Sequence, residues 1–380
     1  MIKITDKHKC CGCNACVQRC PRQCITMQED KEGFLYPVAD KDLCTSCGLC
    51  EKVCPVTNQG EEQIPQKTVV AINKNEETRK ASSSGGIFTI YAEETIKKGG
   101  IVFGATFNER WEVEHTAVET TEELKRLRGS KYVQSNIGNS YQEAEKQLKA
   151  GREVLFSGTP CQIAGLKRYL RKEYKNLTTI DVVCHGAPSP KVWKSYLEER
   201  CRELGISPVN DIKEISFRDK VIGWKRFSLS LTTNAFYAYK PLDSDTFMRC
   251  FLSDLCLRPS CYACPARKGK SGSDITLADL WGCWDICPDL DDDKGLSLVL
   301  VRNSEKEIQP PFCREIEYSE ALKHNPAIEK SATKPKQRDK FFKKVFKKGV
   351  HKATEDCLHK SALSIFVEKV LWNIKNRLLK

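Results

Sequence analysis

The sequence predicts a mixed α/β protein in which a small cysteine-organised module precedes an α/β core and a smaller β-rich region. Three observations predict it. A C-x2-C-x2-C-x3-C-P pattern occurs twice before Val56; short β-rich runs alternate with helical patterns from Thr68 to Val183; and strand patterns dominate after a helical stretch at Val192 to Leu204.

The cysteine pattern reads Cys10, Cys13, Cys16, Cys20-Pro21 and again Cys44, Cys47, Cys50, Cys54-Pro55. Three closely spaced cysteines wrap one half of a four-iron four-sulfur (4Fe-4S) core from a single loop, and in two-cluster ferredoxins the fourth comes from the other repeat. Cys10, Cys13, Cys16 and Cys54 are therefore expected to hold one cluster, and Cys44, Cys47, Cys50 and Cys20 the other. Structural zinc also uses C-x2-C pairs, but a distant second pair usually completes it. The third cysteine, the fourth at x3, the proline and the repeat all favour clusters. Cys11 and Cys24 fall outside the pattern and read as spare thiols. Such a module, over residues 1–58, is a ferredoxin-like domain that moves electrons singly.

At 380 residues and 40% hydrophobic, the chain has room for two or three packed domains of ordinary globular composition. Its start lacks an apolar signal core, and no run approaches the roughly 18 apolar residues of a membrane span. The 21 cysteines then suit metal-bound thiols in a reducing cytoplasm better than a disulfide framework. The formal charge of +12 counts every cysteine as neutral. A 4Fe-4S core with four thiolates carries about −2, so two clusters bring the total to about +8, and nucleic-acid binding loses much of its support. The remaining basic excess lies in Lys334 to Lys352.

Residues 59–67, within the polar run Thr57 to Lys67, read as a linker. The core is expected to follow as a strand at Val69 to Ile72, a helix from Gly86 to Gly99-Gly100, and a strand at Ile101 to Phe107. Next come a helix at Tyr141 to Ala150, a strand at Val154 to Phe156, a helix at Ile163 to Leu170 and a strand at Thr178 to Val183. The β-rich region comprises Ile212 to Phe217, Phe227 to Thr232, Ile275 to Leu280 and Leu296 to Val301. Residues 313–380 read as an appended basic, helical tail, amphipathic from Ala362 to Leu379.

Two loops stand directly before helical patterns. Ser82-Ser83-Ser84-Gly85-Gly86 is a candidate pyrophosphate cradle, since small residues let backbone N–H groups at a helix start approach a phosphate; a plain capping loop is the other reading. Gly158-Thr159-Pro160-Cys161 has the same context but matches neither a P-loop nor a Rossmann fingerprint. Cys161, Cys184 and the Cys261, Cys264 pair would ligate a third 4Fe-4S cluster if their loops converge. Buried apolar cysteines, with a small zinc or no metal at the pair, are the alternative. Cys283 is the reserve ligand.

Residues 68 to about 312 resemble the beta subunit family of coenzyme F-420 hydrogenase and dehydrogenase. The resemblance rests on Ser83-Ser84-Gly85-Gly86, Gly129 to Ser135, Ser157 to Gln162, Cys184-His185-Gly186, Ser260 to Cys264 and Ser273 to Gly282, in that order. It implies an α/β flavin-binding core, divided into an N-terminal part at 68–150 and a C-terminal part at 151–312 with the third cluster. FAD would be surrounded by Ser83, Ser84, Gly85, Gly86, Lys131, Tyr132, Gln134, Ser135, Gly158 and Thr159. The third cluster would bring the net charge to about +6.

The implied chemistry is an oxidoreductase that couples single electrons from the clusters to hydride transfer at FAD. Lys131 and His185 are the candidate catalytic residues, for charge stabilisation and proton donation. A non-catalytic relay subunit that hands electrons to a separate catalytic partner is the competing class. Expected partners are an electron carrier such as ferredoxin or a partner oxidoreductase subunit, and a small organic hydride donor or acceptor. The lysine- and phenylalanine-rich run Lys340 to Lys348 fits an anionic membrane, an acidic partner, or a helix packed on the core. Asp289, Asp291, Asp292 and Asp293 read as a solvated acidic turn rather than a cation site.

Overall fold

The two cysteine repeats fold alike because each turns its backbone at the same two positions. Gly12 and Ser46 have φ of 71° and 53°, and Asn14 and Gly48 have 65° and 73°. Glycine and asparagine adopt this left-handed region with little strain. Short helices follow at Ala15–Gln18 and Leu49–Lys52, and the antiparallel hairpin of β1 (Ile25–Glu29) and β2 (Leu35–Ala39) lies between them. The structure of the protein, a computed structural model, describes residues 2–308, 310 and 312–358. The amphipathic stretch expected at Ala362 to Leu379 lies outside the described residues.

The core is an eight-stranded sheet. Its strands are β3 (Lys67–Ile72), β4 (Ile101–Phe107), β5 (Val113–Val118), β6 (Val154–Gly158), β7 (Leu177–Val182), β11 (Ile275–Asp279), β12 (Ser297–Val301) and β13 (Phe312–Glu315), in the order β13-β3-β12-β11-β7-β6-β4-β5. The neighbours β4, β6, β7 and β11 pair in parallel, and antiparallel strands extend the sheet at both sides. Burial on both faces explains the runs Val69-Val70-Ala71, Val154-Leu155-Phe156 and Leu298-Val299-Leu300, all buried. The helices Ile87–Lys97, Ser140–Lys149 and Pro160–Leu170 connect the strands at the N-terminal side of this core.

Strands β8 (Ile212–Asp219), β9 (Ser228–Thr233) and β10 (Tyr237–Pro241) form a separate antiparallel sheet. The expected β-rich region is therefore smaller than the sequence suggests, because β11 and β12 join the main sheet. Their near-continuous apolar sequence suits its interior better than a half-solvated sheet. Helix Pro190–Leu204 packs Trp193 against Phe217 of this second sheet and Tyr196 against Phe247 of the helix Thr246–Leu252.

Residues 336–358 pack on the core instead of trailing from it. Helices Arg338–Lys348 and Val350–Leu358 bury Phe341, Val345, Val350, Ala353 and Cys357 in the same apolar cluster as Trp193 and Phe247. Their lysines point outward, which is the packed-helix reading of this basic run. Among the described residues no helix is long and apolar enough to cross a membrane.

The N-terminal module is fused into the core. Cys11, Cys13, Ala15 and Val53 share an apolar cluster with Phe103, Phe156 and Leu166. Gly165 makes room for this contact, since a Cβ there would come within 2.9 Å of Cys13 Cβ. Polar contacts reinforce it: Tyr141 and Gln142 backbone N–H groups donate to Gln18 Oε1 at 3.0 and 3.2 Å. Arg338 grips Glu32 through two nitrogens at 3.1 and 2.7 Å.

Candidate functional site

The parallel strands end on one side of the sheet, and ligands of open α/β sheets bind outside such carboxyl ends. There β6 runs into Gly158-Thr159, β7 into Val183-Cys184-His185-Gly186, and β11 into Ala278-Asp279, and all of them line one cavity of about 300 Å³. Its opposite wall is Ser82 to Ser84 with Gly86, and Arg128 to Ser135. Thus Ser83, Ser84, Gly86, Lys131, Tyr132, Gln134, Ser135, Gly158, Thr159 and His185, far apart in sequence, share one space. Gly85 does not line it. Its N–H donates to Ser297 Oγ at 2.9 Å, and a Cβ there would lie 2.6 Å from the Ala71 carbonyl, so close packing on the sheet requires glycine.

The two loop-to-helix turns differ in what they offer a ligand. Gly86, at φ 83°, starts helix Ile87–Lys97 without a side-chain cap, and Ile87 and Phe88 line the cavity. The unsatisfied first-turn N–H groups there suit an anion. At the second turn Gln162 Oε1 accepts from the Thr159 N–H at 2.9 Å and from its hydroxyl at 3.0 Å. Thr159 is thereby engaged in closing its own helix. The hydroxyls of Ser83 and Ser84 tie loops together: Ser130 N donates to Ser83 Oγ at 2.6 Å, and Ser84 Oγ donates to the Leu296 carbonyl at 2.6 Å.

Lys131 Nζ donates to the carbonyls of Arg126 and Arg128 at 2.9 and 2.8 Å, and burial pushes its pKa down to about 7. His185 Nε2 lies 2.7 Å from Asp254 Oδ1, with its ring edge-on to Phe251. The acidic turn is solvated at Asp289 and Asp292, as expected, and it is also ion-paired. Asp292 holds Arg79 through two bonds of 2.7 Å, Asp291 holds Lys225 at 2.6 Å, and Asp289 holds Arg314. Arg79 precedes the serine loop, so this turn braces one wall of the cavity.

The cysteines fall into three groups. Cys20, Cys44, Cys47 and Cys50 surround a small cavity of their own, with Cys24 beside Cys20 at 3.4 Å between sulfurs. Cys10, Cys13 and Cys16 are buried and Cys54 half-buried. Burial, then the neighbouring Cys10, Cys54 and Cys50, push the Cys16 thiol up to about 12. Burial, with Cys161 and Cys264 adding to it, likewise pushes the Cys261 thiol up to about 12, and Cys184 is raised by burial with Cys261, Cys161 and Cys264 close by. These four thiols lie near enough to raise one another's pKa. Thiols that oppose each other's ionisation when bare become thiolates on a metal. Among the described residues no three His, Cys, Asp or Glu close on a single ion; a cubane core keeps its thiolates further apart than one ion does. Cys283 stands elsewhere, buried beside Trp224 and Leu280.

Comparison with known proteins bears on the same segments. Residues 68–140 match the N terminus, and residues 151–308 the C terminus, of the coenzyme F420 hydrogenase/dehydrogenase beta subunit, together more than half of the chain. The chain belongs to the coenzyme F420 hydrogenase/dehydrogenase beta subunit family. Residues 9–58 match a 4Fe-4S dicluster domain. No curated protein sequence matches the chain. Among solved structures, a chain of the xenon-derivatised F420-reducing NiFe hydrogenase complex from Methanosarcina barkeri aligns at 17% identity with a TM-score of 0.46, covering 78% of this chain and 90% of that one.

This beta subunit family member also positions residues that carry no sequence motif. Arg218 of β8 crosses from the second sheet, donating to Asp279 at 2.8 and 3.2 Å, to the Tyr132 hydroxyl at 3.1 Å and to the Ser83 carbonyl at 3.2 Å. Arg128 lines the cavity with its Nε buried and without a hydrogen-bond partner. Arg218 lies in an unremarkable stretch and Arg128 just before the Gly129 to Ser135 motif, and only the fold shows their place at the site.

His115 was equally hidden. It lines the cavity, and burial holds its pKa down to about 4 from 6.5, so the ring is neutral. Its Nε2 then donates to the Ser157 carbonyl at 3.1 Å, Nδ1 accepts from Ser135 Oγ at 3.0 Å, and Gln162 Nε2 donates to that Ser135 oxygen at 2.7 Å. Between pH 6.5 and about 4 the unfolded chain binds a proton here that the folded chain does not. Stability therefore falls as pH drops through this window, by up to about 3 kcal/mol. Anaerobic melting curves across that range should show the fall, and His115→Gln should flatten it.

Proposed function

We propose that the chain couples one-electron transfer through 4Fe-4S clusters to two-electron, hydride transfer at FAD. One observation carries the reading: the cavity bounded by the serine and glycine loops is also bounded by Cys161 and Cys184. In this reading residues 68–150 and 151–312 form a single flavin-binding unit, and residues 1–58 its one-electron module. The residues present fit an anionic dinucleotide. The uncapped start of helix Ile87–Lys97 and the unpartnered Nε of Arg128 would hold the pyrophosphate, while Asp279, the carboxylate on the lining, is already neutralised by Arg218. A flavin, when bound, supplies exchange between single electrons and hydride.

The protein's own groups do the rest. Lys131 is fixed by two carbonyls with a pKa near 7, so near neutral pH it both carries charge and releases a proton at Nζ. His185 with Asp254 offers a second proton site on the cavity wall beside Cys184. Exposure grades the cysteine groups. Cys47 is exposed, the Cys10 group is buried, and the Cys161 group adjoins the cavity. An external one-electron carrier, such as a ferredoxin or a partner oxidoreductase subunit, would meet the Cys44 to Cys50 loop, and a small organic hydride donor or acceptor would meet the cavity.

The test is anaerobic reconstitution of the full chain with iron, sulfide and FAD, followed by addition of reduced deazaflavin or nicotinamide. Bleaching of bound flavin, and then of cluster absorbance, without any partner is the expected result. Clusters without retained flavin would instead mark a relay subunit.

A further inference from the structure

Arg258 is 1% exposed, the most deeply buried arginine among the described residues. Arg79, Arg218 and Arg338, also buried, each hold a carboxylate: Asp292, Asp279 and Glu32; the less buried Arg267 bonds to the Ala327 and His185 carbonyls. Arg258 has no carboxylate within ion-pair distance among the described residues. Its Nε donates to the Cys10 carbonyl at 2.7 Å, Nη1 to Gln134 Oε1 at 3.0 Å, and Nη2 to the Leu35 carbonyl at 2.9 Å, with Cys10 Sγ at 3.5 Å. The Tyr36 ring lies 4.2 Å from its guanidinium carbon. Gly12 admits this arrangement, since a Cβ there would come within 2.9 Å of Nη1.

A buried charge without an opposite charge costs several kcal/mol, and neutral acceptors repay only part of it. The groups near Arg258 that can become negative are Cys10 first, then Tyr36, Cys11 and Cys261. Cys10 belongs to the first cysteine group and Cys261 to the third, and the Cys11 thiol has both Cys13 and Cys161 close by. The guanidinium therefore stands at the seam between two proposed clusters, on the side of the first.

We propose that Arg258 is a positioning residue that sets the reduction potential of the cluster held by Cys10, Cys13, Cys16 and Cys54. This rests on the cluster reading above. When a one-electron donor reduces that site, one electron enters, no bond forms or breaks, and the net charge of core and thiolates passes from about −2 to about −3. A guanidinium that keeps its proton favours the more negative state, and burial strengthens the effect. Arg258 thus raises the potential of the first site.

Potentiometric titration of the anaerobically reconstituted full chain, read by paramagnetic resonance and scored against iron content, tests this. In R258Q the first cluster should be at least tenfold harder to reduce, a downward shift of 59 mV or more for one electron, while the second cluster keeps its potential. Unmoved potentials in an iron-replete R258Q would overturn the proposal. R258K decides independently if R258Q does not assemble. A buried lysine loses its proton where arginine does not, so the first potential should fall with rising pH in R258K and not in the parent. An R258K profile that stays flat at the parent value even above the free lysine pKa of about 10.4 would also overturn it. A parent count of about eight irons instead of about twelve would remove the third cluster from the reading and leave the effect of Arg258 on the first measurable.

Discussion

Cys184→Ala is expected to lower the iron content of the reconstituted chain from about twelve to about eight per molecule and to disconnect flavin from the N-terminal clusters. A hydride donor would then still bleach flavin, and a one-electron donor would still reduce the ferredoxin-like module, but neither would reduce the other's site. The reason lies in the grouping at the strand ends. Cys184 follows β7 next to the cavity, and Cys161, Cys261 and Cys264 are its neighbours; Cys11, which lines the same cavity beside Cys161, is the spare thiol at hand, so the variant is made in a Cys11→Ala background. Cys283 sits in a different apolar cluster. Iron assay, with stopped-flow absorbance at flavin and cluster wavelengths, checks both halves. An unchanged iron count would show that Cys184 is a buried thiol only.

Arg218→Ala should cost about 3–5 kcal/mol, the range for removing one partner of a buried ion pair. Arg218 and Asp279 side chains are 4% and 15% exposed. Truncation leaves Asp279 with the Trp224 indole N–H, at 3.1 Å, as its remaining donor. It also releases the Ser83 carbonyl and the Tyr132 hydroxyl, so flavin retention should fall together with stability. Denaturant unfolding of R218A, with R218A/D279A as control, separates the two. The double variant no longer strands a carboxylate, and should recover part of the stability but not the flavin.

What the sequence made legible was local. Cysteine spacing carries its own geometry, and the left-handed turns at Gly12, Asn14, Ser46 and Gly48 are what that spacing demands of the backbone. Strands such as Ile101–Phe107 were readable to the residue because apolar β-branched runs bounded by glycine have few alternatives. Arg218 and His115 were not readable, since each acts on residues far away in the chain and neither has a neighbour that announces a role; Arg128 and Arg258 stand beside the Gly129 and Ser260 motifs, which give no sign of what the arginines do. β11 and β12 went to the wrong sheet for a related reason. Their sequence says buried strand, and only pairing says with whom. The C-terminal helices looked like a tail because lysines dominate their composition, while a narrow stripe of Phe341, Val345 and Val350 decides their packing.

The N-terminal module is bolted to its neighbour at several points at once: Cys13 on Gly165, Gln18 on Tyr141 and Gln142, Glu32 on Arg338. Many electron carriers ride on tethers and must swing between a loading and an unloading pose. Here these contacts hold the module against the core. Internal transfer would run as tunnelling across a fixed gap, its speed governed by the drop in potential along the path rather than by diffusion of a domain, and the only encounter left to chance is the arrival of the outside carrier.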